Sequence, residues 1–203
     1  MQRIRWALFL VSLLVPIVSH AQKTEVAATI GAALSPDGKG PVLCINPAMC
    51  PIGPVTTGSV PLGAGVSWQT SFAYRLANLK ATALYFELPL AGSPSRSGPG
   101  TFSGFSSVFF TPSAHVKFLP GGSVSPFASV GGGVAHFSSI DSRGNAGALQ
   151  LGGGVDFRTP LKALGIRAEV RDFITGHSSV APLGFFTTHV QSIFAGGGVV
   201  LKF

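Results

Sequence analysis

The stretch LGIRAEVRDF, residues 164–173, decides the class of fold. Apolar and charged side chains alternate strictly through its centre. The apolar set is Ile166, Ala168 and Val170, and the charged set is Arg167, Glu169 and Arg171. A period of two places successive side chains on opposite faces of a β-strand. The stretch therefore predicts a strand with one apolar face and one ionic face.

Seven further segments alternate in the same way, and clusters of Gly, Pro, Ser and Asn separate them. They are 24–34, 64–76, 79–90, 106–118, 125–137, 147–158 and 188–203. Most are longer than the roughly 5–6 residues typical of strands in soluble sheets. A tilted strand needs about 9–11 residues to cross a bilayer. Together with 164–173, these segments predict eight membrane-crossing strands.

The connections between the predicted strands alternate in length. Those after the first, third, fifth and seventh strands are long: 35–63, 91–105, 138–146 and 176–187. Those after the second, fourth and sixth are short, around Asn78, Pro120-Gly121-Gly122 and 159–164. Tight turns at one rim and longer loops at the other are typical of membrane barrels. The predicted fold is all-β, an eight-stranded antiparallel up-and-down transmembrane β-barrel.

The composition agrees with a barrel whose apolar face points outward. Only 10% of the 203 residues are charged and 46% are hydrophobic, whereas soluble domains average about 25% charged residues. A chain this apolar does not remain disordered in water. So few charged residues would also cover too little of the surface of a soluble globular protein. A closed barrel bonds every backbone group internally and turns its apolar face to lipid.

By parity, eight charged side chains face the interior of the predicted barrel. They are Arg75, Glu87, Lys117, Asp156, Arg158, Arg167, Glu169 and Arg171. An eight-stranded lumen is just wide enough to be filled by side chains. We therefore expect a packed ion-pair network, with Glu87 and Glu169 as the main counterions of the arginines. Five cations against three carboxylates leave a positive excess, so a narrow, weakly anion-favouring pore is the alternative.

Residues 1–21 have the three parts of an export signal. Arg3 and Arg5 are basic, an apolar stretch of 13 residues follows from Trp6, and Ser19-His20-Ala21 supplies the small residues of a cleavage site. The predicted organisation is a cleaved signal peptide, 1–21, followed by one barrel domain, 22–203. In an exported chain, Cys44 and Cys50 are expected to form a disulfide. This pair lies in the first long loop, which is rich in Gly, Pro and Val and is expected to be irregular.

Three further observations from the sequence do not predict a functional site. Gly-Gly-Gly-Val occurs at 131–134, 152–155 and 196–199 inside strand patterns, where glycines mark bends or close packing. His177, Ser178 and Ser179 follow Asp172, but a catalytic triad is defined by geometry and not by proximity in sequence. No metal-ligand spacing is present. We expect no catalytic, cofactor or metal site.

The net charge of +7 is spread along the chain. Nucleic-acid binding needs clustered basic residues, so this class is excluded. Attraction to anionic lipid headgroups is the more natural use of loop and rim charges. These include Lys39, Arg96, Arg143 and Lys162.

The export signal, the eight alternating strands and the terminal Phe203 together resemble the small outer membrane β-barrel proteins of the OmpA-like or opacity-protein type. Val199, Leu201 and Phe203 share one face and look like the terminal strand that the outer membrane assembly machinery reads in that family. The run 164–173 looks like its charged penultimate strand. The resemblance implies a non-enzymatic barrel in the bacterial outer membrane, with its long loops facing outward.

We therefore expect a monomeric barrel with a structural or surface-interaction role and a lumen filled by side chains. Its expected partners are outer membrane lipid, the assembly machinery and external molecules met by the loops, with the first loop as the leading surface. Three alternatives stay open. They are the small pore, a barrel enzyme acting on lipid acyl chains and a soluble periplasmic lipocalin-like barrel.

Overall fold

The computed structural model of the chain describes residues 23–35, 38–41, 57–60, 64–97, 103–138, 143–161, 163–176 and 190–203. Three predictions concern residues outside these ranges: the signal peptide 1–21, the Cys44–Cys50 disulfide and the candidate triad residues of segment 177–179. Within the described part of the chain, no helix is long and apolar enough to cross a membrane.

The described residues form eleven strands. In chain order they are β1 (Thr24–Leu34), β2 (Gly38–Pro41), β3 (Thr57–Val60), β4 (Ala64–Leu79), β5 (Thr82–Ser97), β6 (Ser103–Phe110), β7 (Ser113–Phe118), β8 (Val124–Ser138), β9 (Arg143–Arg158), β10 (Leu164–Thr175) and β11 (Val190–Lys202). β6 and β7 are two halves of one wall strand, interrupted at Thr111 and Pro112, and both pair with β5 and β8. The wall therefore has eight strand positions.

The wall is a closed antiparallel cylinder. Each wall strand pairs with its neighbours along the chain, and β1 pairs with β11 from Glu25↔Lys202 to Leu34↔Ile193. Closure leaves no unpaired edge in the wall. The predicted fold class, an eight-stranded antiparallel up-and-down transmembrane β-barrel, is confirmed.

The two faces of the wall have the predicted inverted polarity. In β5, Phe86 is 45% exposed and its neighbour Glu87 is fully buried; in β10, Val170 is 53% exposed and Arg171 is fully buried. The charged alternate residues therefore point into the cylinder and the apolar ones point out. This is the arrangement that a surrounding hydrocarbon phase requires.

Several predicted boundaries were wrong at the rim of the longer loops. β5 continues to Ser97 and β9 begins at Arg143, so the segments 98–102 and 139–142 separate strands where longer loops were expected. The first loop is not wholly irregular either, because β2 and β3 pair as a short antiparallel ribbon. Backbone pairing continues where apolar alternation stops, since the ladder hydrogen bonds do not depend on lipid-facing side chains.

Candidate functional site in the barrel lumen

The half of the lumen nearest the tight turns holds one ionic cluster. Asp156 of β9 accepts a bidentate pair from Arg167 of β10, with Nε–Oδ1 at 2.7 Å and Nη2–Oδ2 at 3.0 Å. Lys117 of β7 lies between two carboxylates, 2.7 Å from Asp156 and 2.5 Å from Glu25 of β1. The Arg167 guanidinium also lies 4.6 Å from the ring centre of Phe127. Charged side chains from four strands are therefore joined across the cylinder.

A second ionic cluster fills the middle of the lumen. Arg171 binds Glu87 of β5 through two nitrogens, at 2.8 and 3.1 Å, and its Nε donates to Glu169 at 3.0 Å. The other Glu169 oxygen accepts hydrogen bonds from Thr29 at 2.7 Å and from Gln69 at 3.0 Å. Buried carboxylates are costly unless each oxygen is hydrogen-bonded. This cluster meets that requirement with residues of β1, β4, β5 and β10.

The two clusters form one continuous network. Arg167 Nη1 lies 3.8 Å from Glu87 Oε1 and links them. Glu87 is also hydrogen-bonded by Ser113 at 3.2 Å and contacts His115 Nδ1 at 3.4 Å. Two buried polar atoms beside the network, Gln69 Oε1 and His115 Nε2, have no hydrogen-bond partner. Almost all of the charged groups of the network therefore pair with one another inside the lumen.

Glycines make room for the side chains of Glu169 and Arg171. Glu169 pairs in register with Gly154 on one side and Gly196 on the other, and Arg171 pairs with Gly152. A Cβ at Gly154 would meet the carbonyl oxygen of Ala168. The Gly-Gly-Gly-Val runs therefore have the close-packing role that the sequence predicted, and their first and third glycines are the lumen-facing ones.

The half of the lumen nearest the long loops holds an apolar cluster beside buried hydroxyl groups such as those of Ser107, Thr175 and Ser192. Four buried phenylalanines, one each from β6, β8, β10 and β11, pack with four buried alanines. The phenylalanines are Phe109, Phe137, Phe173 and Phe194, and the alanines are Ala91, Ala135, Ala146 and Ala148. The rings of Phe109 and Phe173 stack at 4.5 Å, and Phe109 meets Phe137 edge to face at 5.9 Å. We call this group the phenylalanine layer; the predicted site did not include its members, and Ala91 and Ala146 were expected in long loops.

The structure brings together six of the eight predicted lumen residues. They are Glu87, Lys117, Asp156, Arg167, Glu169 and Arg171. Arg75 is only half-buried and lies beside the hydroxyl of Tyr85. The placement of Arg158 in the lumen was wrong, because this last residue of β9 is exposed at the rim despite its inward parity.

Glu25 is the lumen residue that the sequence prediction missed. It is 6% exposed and pairs with Lys117 and more distantly, at 3.7 Å, with Arg167. The alternation of Glu25 and Thr29 with Val26 and Ile30 in β1 carries the signal that identifies it. Three cations and four carboxylates are buried in the network. The predicted positive excess of the interior is therefore wrong for these buried groups.

The residues of the proposed assembly signal lie at the end of β11. Val199 and Leu201 are 45% and 39% exposed on the outer face, and Phe203 is half-buried. Phe203 exchanges backbone hydrogen bonds with Thr24 at the start of β1, at 2.9 and 3.3 Å. In the part of the chain that the structure describes, no group of His, Cys, Asp and Glu has the arrangement of a metal site.

Comparison with known proteins identifies the fold. The chain matches no protein-family model and no curated protein sequence. Among solved structures, Neisserial surface protein A superposes with a TM-score of 0.62 at 17% identity, covering 91% of this chain and all of that one. OprG from Pseudomonas aeruginosa gives a TM-score of 0.49 at 15% identity, covering 90% and 96%. The protease OmpT from Escherichia coli gives 0.48 at 9% identity, covering 92% and 99%. The first likeness shows that the chain has the fold of the small outer membrane β-barrels.

Proposed function

We propose that this protein is an exported, monomeric outer membrane barrel that strengthens the cell envelope and presents its long loops to external partners. Its lumen is closed to ions, and it has no catalytic role. The fold shared with Neisserial surface protein A and the lipid-facing outer wall support the outer membrane location. The Cys44–Cys50 disulfide and the ribbon formed by β2 and β3 would hold the first loop as the leading contact surface.

The filling of the lumen is the observation that carries this proposal. In one half, the ionic side chains pair with one another, with Lys117, Glu87 and Arg171 buried to 0% exposure. In the other half, four phenylalanines pack across the lumen, and the buried polar side chains beside them, such as Ser107 and Ser192, are neutral. An ion crossing the layer would exchange its hydration for a few neutral hydroxyl groups, which is unfavourable. The two halves thus oppose conduction for different physical reasons.

Single-channel recording in a planar bilayer tests the closed lumen. The native protein should give no stable conductance steps, whereas a variant opened in both halves, Phe109→Ala and Phe173→Ala combined with Arg171→Ala, should produce small steps. Phe157→Ala is the matched control, because Phe157 is 43% exposed on the outer wall. Retained resistance to detergent before heating shows that each variant is folded. Stable ion-selective steps from the native protein would establish the pore alternative instead.

The absence of a catalytic role has its own test. His177→Ala with Ser179→Ala removes the two side chains that an acyl-chain hydrolase would need in the last long loop. Cells expressing native protein, the double variant or no protein should then have the same lipid acylation pattern by mass spectrometry. A change in acylation that requires native His177 and Ser179 would show that the barrel is an enzyme.

A further inference from the structure

The rim of the barrel at the tight turns is a hydrogen-bonded ring. It comprises the start of β1, the turns at 79–82, 119–124 and 158–164, and the end of β11; we call it the turn rim. Backbone hydrogen bonds join its neighbouring parts. They run from Arg75 N to Lys23 O at 2.7 Å, Leu119 N to Ala81 O at 2.7 Å, Arg158 N to Ser123 O at 2.9 Å and Lys202 N to Ala163 O at 2.8 Å. These bonds hold the backbone of the ring in a fixed position relative to the wall.

The charges that the turn rim exposes are positive. Lys23, Lys80 and Arg158 are exposed, and Arg75 and Lys202 are half-buried. The sequence of the three turns, 78–82, 119–124 and 158–164, contains no Asp or Glu. The carboxylates nearest this rim, Glu25 and Asp156, are buried and bound by Lys117 in the lumen. The described part of the rim therefore presents cations with no exposed Asp or Glu side chain beside them.

Each tight turn also exposes a leucine. Leu79, Leu119 and Leu161 are 66%, 57% and 65% exposed. Lys80 and Leu119 have positive φ angles of 23° and 48°, which mark tight turns that project little beyond the wall. Three large apolar side chains at a water-facing rim would be unfavourable. With the rim at the depth of the headgroups, these leucines are stabilised by burial at the acyl boundary. The neighbouring Lys and Arg side chains then reach outward to the phosphates.

We propose that the turn rim binds the headgroups of anionic phospholipids in the leaflet next to the turns. Lys80, Arg158 and Lys23 contact the phosphates, and Leu79, Leu119 and Leu161 anchor the turns at the acyl boundary. The preference for anionic over zwitterionic lipid comes from the net negative charge of the headgroup, which no exposed Asp or Glu side chain of the described rim opposes.

The outer wall near the other rim has different chemistry. Asp172 of β10 faces outward and accepts a hydrogen bond from Gln191 at 2.7 Å, and His136 contacts Asn145 at 2.7 Å. Arg143 is exposed at the start of β9. Because cationic, acidic and neutral polar groups are mixed there, the proposed lipid preference belongs to the turn rim alone, and Arg143 supplies a matched control.

Quenching of a tryptophan by brominated lipids measures this preference. Trp68 is replaced by Phe, and Phe118→Trp places the reporter on the outer wall beside the turn rim, where Phe118 is 43% exposed. The refolded barrel is placed in bilayers of phosphatidylcholine and phosphatidylglycerol, with either lipid brominated. The ratio of the two quenching curves gives the relative association constant of the two lipids at the rim.

The reporter barrel should prefer phosphatidylglycerol, by roughly fivefold for each cation engaged. Lys80→Gln with Arg158→Gln should lower the ratio to roughly the fivefold preference that Lys23 alone supplies, and Arg143→Gln should leave it unchanged. Soluble glycerol phosphate should not compete, because it lacks the acyl chains that bring the headgroup to the rim. The proposal would be overturned if the reporter barrel gave a ratio near one. It would also be overturned if Arg143→Gln lowered the ratio as much as the double variant does, or if glycerol phosphate displaced the lipid. Heat-dependent mobility in electrophoresis confirms folding, and the two single variants replace the double variant if it fails to fold.

Discussion

At the scale of single residues, Asp156 shows how the lumen is held together. One carboxylate accepts two hydrogen bonds from Arg167 and a third contact from Lys117, and all three side chains are at most 2% exposed. The sequence could predict that these residues face inward, because parity fixes the face of a strand. It could not predict which carboxylate binds which cation, since those contacts depend on how the side chains cross the cylinder. The link between Lys117 and Glu25, 92 positions apart, is of this kind.

Asp156→Asn should destabilise the barrel strongly. The variant leaves Arg167 and Lys117 in place with one counterion fewer, and breaking a buried ion pair costs about 3–5 kcal/mol. Urea titration of the barrel in lipid vesicles, followed by Trp68 fluorescence, measures the change. Arg143→Gln is the control on the same strand, and its exposed side chain should change the free energy of unfolding by less than about 0.5 kcal/mol. Equal losses in the two variants would argue against the network as a source of stability.

At the scale of elements, the glycine runs fit the wall to its contents. The two strands that flank β10, which are β9 and β11, carry glycine in register with Glu169. The Glu169 side chain therefore has no side chain beside it on either neighbouring strand. The sequence predicted strands at these runs and a packing role for the glycines. It did not predict the full length of β5 and β9, because their outer ends lack the apolar alternation that defined the other boundaries.

Adjacent glycines of β11 should respond oppositely to the same substitution. A Cβ at Gly198 would meet the carbonyl oxygen of Ala28, whereas one at Gly197 would lie 3.5 Å from the Arg167 oxygen, an ordinary contact. Gly198→Ala should therefore cost about 1–3 kcal/mol, because the strand pair must separate. Gly197→Ala should stabilise the barrel by about 0.4–1 kcal/mol, since the unfolded chain loses conformational freedom. The urea titration distinguishes them, and similar effects at both positions would contradict the packing assignment.

At the scale of the whole molecule, the inverted distribution of polarity governs the architecture. Charge in the interior, apolar groups outside and complete backbone pairing are mutually dependent in a hydrocarbon phase. The sequence was sufficient to predict this fold because eight segments repeat the same alternation. It was not sufficient to predict an interior without a positive excess, because Glu25 adds a buried carboxylate while Arg75 and Arg158 lie outside the buried network.

The closed wall should make the folded protein resistant to detergent. In electrophoresis, an unheated sample should migrate differently from a boiled one, because sodium dodecyl sulfate finds no unpaired edge at which to open the cylinder. The protein should also sediment with the membrane fraction after cell lysis. Identical migration before and after boiling, together with recovery in the aqueous fraction, would favour the soluble lipocalin-like alternative.

The pairing of the first wall strand with the last has a consequence for biosynthesis. Any nascent or truncated chain that lacks β11 has two strand edges with unpaired backbone groups. Lipid cannot form hydrogen bonds with either edge. Insertion is therefore expected to be all-or-none rather than stepwise, because the cylinder cannot close before β11 pairs with β1. A chain cut and rejoined to begin at one of the tight turns would move that seam without changing a single lumen contact.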